Sequence, residues 1–110
     1  MAARATAALD AGDPLLLADL VLAECVSVLE SFYEVERVRV ARLMRAAIGL
    51  PSIAVVDAYL LLRALEIYEV ERLDFADAYL VASAELTGVG AVMSFDRGID
   101  RVGTIARIEP

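Results

Sequence analysis

The sequence predicts an α/β fold in which a mainly parallel sheet carries helices on both faces. Short apolar runs rich in branched side chains alternate with longer segments of helical periodicity, the pattern of strand–helix–strand crossovers. Each change of period falls at Gly, Pro or Asp, the residues that stop one element and start the next. The 110 residues contain no repeat, low-complexity segment or internal linker, so residues 1–110 form a single domain.

Residues 1–11 read as the end of a helix, stopped by Gly12-Asp13-Pro14. Pro14 to Ala18 is a short apolar run, expected as a buried strand. Asp19 is placed to cap a helix from Leu20 to about Tyr33, with Val21, Cys25, Val28, Leu29 and Phe32 on its core face. A second helix, about Val35 to Ile48, turns Val38, Val40, Ala41, Leu43, Met44 and Ile48 inward and ends at Gly49-Leu50-Pro51. Ile53 to Val56 is the second strand. Asp57 caps the helix from Ala58 to about Glu71, whose packing side carries Leu61, Leu62, Leu65 and Tyr68. Leu73-Asp74-Phe75 leads into a helix that contains Asp77 and closes at Gly88 and Gly90. Ala91 to Ser94 and Thr104 to Ile108 are the last two strands, with the loop DRGIDRVG between them.

Composition removes most catalytic chemistries. The chain has no histidine, which excludes Ser-His and Cys-His triads and imidazole metal sites. Its basic residues are all arginine, so lysine Schiff-base and P-loop chemistry are excluded too. One cysteine cannot build a thiolate zinc site; Cys25 reads as a small core residue in a reduced, cytoplasmic compartment. No apolar run is long enough for a transmembrane helix, and the N-terminus has no signal-peptide h-region. A net charge of −7 argues against a general polyanion binder. Carboxylates, hydroxyls, arginines and a hard metal ion remain.

Three acids occupy positions that ordinary solvation does not explain. Glu24 has Val21 and Val28 as its i−3 and i+4 neighbours, which sets it on the expected packing face; pairing with an arginine is the alternative. Asp77 shares a stripe with Leu80, Val81 and Ala84 in a first helical turn, where the backbone favours negative charge. Asp96 follows a strand, at the carboxyl edge where open α/β sheets bind ligands, with Ser94 two residues before it. Asp74 reads as a helix cap and Asp100 as a solvated loop charge. An oxygen-only set of this kind selects Mg²⁺ or Mn²⁺.

The segments LLLADLVLAECVSVLESFY, DFADAYLVASAEL and VMSFDRGIDR around these acids resemble the PIN-domain nucleases, in particular the VapC-type ribonuclease toxins of type II toxin–antitoxin modules. The resemblance implies a three-layer α/β/α PIN-like domain, N-terminally truncated: the family's first strand, which ends in an Asp, and its first helix have no counterpart. That strand lies at the centre of the family's sheet. The expectation is therefore a chain that is marginally stable or that closes the gap by pairing, swapping or rearrangement. The resemblance further implies a divalent-metal-dependent endoribonuclease with Glu24, Asp77 and Asp96 as Mg²⁺ or Mn²⁺ ligands and Ser94 as a supporting hydroxyl. It also implies an RNA substrate, a cognate antitoxin-like protein and a homodimer. Arg42, Arg45 and Arg97 are candidate phosphate contacts. The competing reading is a catalytically degenerate PIN-fold interaction module, with Tyr59, Leu60 and Met44 lining a partner surface.

Overall fold

The structure, a computed structural model, describes residues 13–110. The helical reading of residues 1–11 lies outside the described residues. Eight elements and one 3₁₀ turn follow in the order β1 (Leu15–Leu16), α1 (Asp19–Ser31), α2 (Arg37–Ile48), β2 (Ile53–Ala54), α3 (Ala58–Val70), α4 (Phe75–Thr87), β3 (Ala91–Met93), the 3₁₀ turn Arg97–Arg101, and β4 (Ala106–Ile108). This is the expected alternation, helix-rich and with strands shorter than their apolar runs.

Both strand pairings are parallel. Leu15 and Leu16 of β1 pair with Ile53 and Ala54 of β2, while Ala91, Val92 and Met93 of β3 pair with Ala106, Arg107 and Ile108 of β4. Among the described residues no ladder joins the two pairs, so the sheet is not closed by pairing β1 with β3. The expectation of a buried first strand is corrected here. Leu16 is 68% exposed, because among the described residues β1 has one strand neighbour and nothing packs over that side chain.

The core is mainly helical. The most extensive contact is between α3 and α4, with α2 also packed on α3 and α1 touching both α2 and α4. Leu61, Ala64, Leu65, Ile67 and Tyr68 of α3 are buried against Phe75, Ala78, Val81 and Ala82 of α4. Arg37 braces this pair from α2: its Nη1 donates to the carbonyls of Tyr68 (2.7 Å) and Leu73 (2.5 Å), and its guanidinium lies 4.4 Å from the centre of the Tyr68 ring. Arg63 grips Glu85 of α4 through Nε at 2.7 Å and Nη2 at 2.8 Å, a two-pronged arginine–carboxylate contact.

Local signals explain most boundaries. Asp57 caps α3 by accepting from Leu60 N–H at 3.1 Å, as its position predicts. Gly88 ends α4 at φ 75°, a left-handed conformation open to glycine. Asp19 does not cap α1. Ala18 holds the cap position without a side-chain bond, and Asp19 accepts instead from the Tyr79 hydroxyl at 2.5 Å. Its other oxygen is the one buried side-chain oxygen without a hydrogen-bond partner among the described residues. Such an orphan costs about 1–3 kcal/mol.

The faces of α1 and α2 are the main corrections. On α1 the buried residues are Leu22 and Val26, and Val21, Val28 and Phe32 are exposed. That helix is apolar around most of its circumference, so periodicity could not select the face; contacts with α2 and α4 do. On α2, Val40, Ala41 and Met44 are buried while Val38 and Leu43 are exposed. Leu62 is likewise exposed on α3. Met44 is thus a core residue rather than part of a partner surface, whereas Tyr59 stands 70% exposed. Among the described residues no helix is long and apolar enough to cross a membrane.

Candidate metal centre

Two segments converge at one edge of the molecule. The first is the turn from α3 into α4, Glu71 to Asp74, in which Arg72 adopts a left-handed φ of 59°. That conformation reverses the chain within a few residues and delivers Asp74 to the cap position of α4 and Asp77 to its first turn. Leu73 and Phe75, both buried, fix the turn from below. The second segment leaves β3 and enters the 3₁₀ turn, with Asp96 at that turn's cap. Ile99 and Val102 anchor it in the core.

The carboxylates of Asp74, Asp77 and Asp96 meet there. Each offers an oxygen, and the three oxygens lie within 4.8 Å of one another. Asp74 is exposed; Asp77 and Asp96 are half-buried. Asp74 makes no capping bond with its own helix, which leaves its carboxylate free for the cluster. Asp96 is held more tightly. Its Oδ1 accepts from Gly98 N–H at 2.8 Å, and its own N–H donates to Ser94 Oγ at 3.0 Å. Ser94 therefore acts on the backbone that presents Asp96.

The charge state follows from this crowding. Burial is the main cause that pushes the Asp77 carboxyl up to about 6, reinforced by its hydrogen bond to Asp96 and by the negative charges of Asp96 and Asp74. Asp96 moves the other way. The hydrogen bond from Asp77 is the leading cause that lowers it, followed by the Gly98 N–H. The pair titrates as a unit in which Asp77 holds its proton to a higher pH than Asp96 does.

The remaining sequence candidates lie elsewhere. Glu24 is exposed and does not belong to the three-oxygen group. The expected packing face is corrected: Val21 and Val28, its stripe neighbours, face solvent as well. Asp100 is an exposed loop charge paired with Arg107 at 3.0 Å. Arg45 pairs with Glu69 at 2.6 Å, and the Arg97 side chain is 85% exposed. Asp74, expected from sequence as a helix cap, is the additional member of the cluster. Its signal was present: Asp74 and Asp77 stand three residues apart at a helix start, the spacing that brings two side chains to one face.

Three carboxylate oxygens at this separation form a hard, all-oxygen donor set, and burial together with the neighbouring carboxylates raises Asp77 to about 6. Both features fit a small divalent cation, which would displace the proton and cancel the shared charge. No curated protein and no solved structure is significantly similar to the chain. The sequence itself matches the PIN domain family over residues 1–105, an extent that covers both converging segments. An α/β chain with short parallel strands and an acidic cluster beyond β3 is thereby placed: it belongs to the PIN domain family, whose fold is of the nuclease type and generally works with divalent metal ions.

Proposed function

We propose that this protein is a metal-dependent endoribonuclease of the VapC-like kind, hydrolysing RNA phosphodiesters with Mg²⁺ or Mn²⁺. The observation that carries the reading is the convergence of Asp74, Asp77 and Asp96 within 4.8 Å. Asp77 and Asp96 are the ligands expected from sequence, and Asp74 joins them by geometry. When bound, the ion would supply Lewis-acid stabilisation of a phosphate oxygen and activation of water. The chain's own contribution is positional. The Gly98 N–H holds the Asp96 carboxylate, Ser94 Oγ holds the Asp96 backbone N–H, and the proton that Asp77 carries at low pH would be displaced by a cation held by the cluster. Glu24, a metal ligand by the resemblance, lies outside the three-oxygen group and enters the proposal through the resemblance alone, as an acid needed for cleavage. The test is cleavage of single-stranded RNA by the purified protein with millimolar Mn²⁺, set against an Asp77→Asn variant. Metal-dependent cleavage that disappears in the variant supports the reading; absence of cleavage in the parent protein defeats it.

A second reading, an interaction module that dimerises or binds an antitoxin-like protein, has its own support. Leu16, Leu20, Phe32, Val56, Met93 and Phe95 are all at least two-thirds exposed and offer large apolar side chains to a partner. The two readings are compatible in a toxin held inactive by its partner. A partner that co-purifies in high salt while the separated chain cleaves no RNA would favour the module over the enzyme.

A further inference from the structure

The two segments that bring the carboxylates together share few covalent or sheet constraints. Asp74 and Asp77 belong to the turn into α4, and Asp96 to the turn after β3. One side chain reaches from the second segment to the first. Arg101, the last residue of the 3₁₀ turn, donates from Nη1 to the carbonyl of Glu71 at 2.7 Å, with the Arg72 carbonyl at 3.5 Å. Glu71 is the residue that ends α3, and its carbonyl is among those a helix cannot satisfy internally. The Arg101 guanidinium also closes over Gly98. A Cβ at Gly98 would stand 3.3 Å from Arg101 Nη2 and 3.0 Å from Asp96 Oδ1, so the absent side chain is what lets both groups approach the same backbone.

We propose that Arg101 is a positioning residue, which clasps the Asp96 loop to the α3–α4 turn and so sets Asp96 in register with Asp74 and Asp77. The proposal rests on the metal-site reading above, but its chemistry gives a separate sign. A cation beside three carboxylates competes with a metal ion. If Arg101 acted only through its charge, removing it would tighten metal binding. If it acts by holding the two segments, removing it weakens binding, because the ligands must then be gathered at the expense of chain freedom. Gly98 belongs to the same device, since a methyl group there presses on both the Asp96 carboxylate and the arginine.

The test is Mn²⁺ binding to the full chain, measured by electron paramagnetic resonance, together with exchange of the Gly98 amide in metal-free protein. Arg101→Ala should weaken Mn²⁺ about tenfold, in the range seen when outer residues that orient metal ligands are removed. Gly98→Ala should do likewise, and Arg101→Lys, which keeps a donor for the Glu71 carbonyl, should restore most of the loss. The Gly98 amide, bound to Asp96 Oδ1, should exchange faster in Arg101→Ala and recover in Arg101→Lys. Unchanged or tighter Mn²⁺ binding in Arg101→Ala overturns the clasp. If the parent chain takes up no Mn²⁺, the metal-site reading fails, and the Gly98 amide alone decides the clasp: unaltered exchange in Arg101→Ala rejects it.

Discussion

Asp77 and Asp96 bring carboxylate oxygens within 4.8 Å of each other and titrate as a pair: the carboxyl at the start of α4 is pushed up to about 6, while its partner beyond β3 is held below the ordinary aspartate range. The folded protein therefore binds the Asp77 proton more tightly than the unfolded chain, in which Asp77 returns to about 3.8. Asp77 favours the metal-free fold at low pH, and its contribution is lost as pH rises from about 4 through about 6. The lowered carboxyls of Asp96 and Glu85 act in the opposite sense, but at lower pH, where stability falls as they are protonated. The expected result is a melting temperature for metal-free protein that declines across that upper window. Asp77→Asn should flatten the decline, since a neutral amide has no proton to lose.

The same proton makes metal uptake pH-dependent. A cation entering the cluster must displace it, so affinity for Mn²⁺ should rise with pH up to about 6 and level off above. Calorimetry near pH 5 in two buffers of different ionisation enthalpy should show about one proton released per ion bound. Release of none would mean that the ion binds away from Asp77.

Glu24 and Asp77 should separate under mutation. Asp77 lies in the three-oxygen group and Glu24 outside it. Asp77→Asn is expected to weaken Mn²⁺ binding by at least about tenfold and to abolish RNA cleavage, because removing one hard ligand of three leaves a cation under-coordinated. Glu24→Ala should change binding of that ion by less than about twofold and yet lower cleavage. Equal loss of Mn²⁺ affinity in both variants would require Glu24 to reach the cluster.

The contrast between these two acids shows where sequence reading holds and where it stops. Asp77 and Asp96 were legible because each sits where backbone geometry alone has consequences, one in a first helical turn and one past a strand's carboxyl end. Glu24 was placed by hydrophobic periodicity, and α1 is too evenly apolar for periodicity to choose a face. The neighbours that do choose it belong to α2 and α4, which no local window contains. Asp74 was visible as an acid three residues before Asp77 but carried a sufficient local explanation as a cap. Strand order shows the same division. Alternation of periods pointed to parallel pairing, while which strands neighbour β1, of which the described residues supply β2 alone, depends on what lies beside it in space.

Asp57 offers the cleanest test of local logic against tertiary context. Its side chain accepts from Leu60 N–H at 3.1 Å and satisfies one of the donors that α3 cannot satisfy internally. The helix it opens supplies much of the core, including the fully buried Leu61, Ala64 and Leu65. Fraying its first turn therefore loosens packing immediately below. Asp57→Ala should cost about 0.5–2 kcal/mol in urea unfolding, with the midpoint lowered and the slope unchanged. Asp57→Asn keeps the oxygen acceptor without the charge and should lie within a few tenths of a kcal/mol of the parent. If Asn proved as costly as Ala, the acceptor would not be what matters, and the stabilisation would have to come from the carboxylate's charge at the positive end of α3.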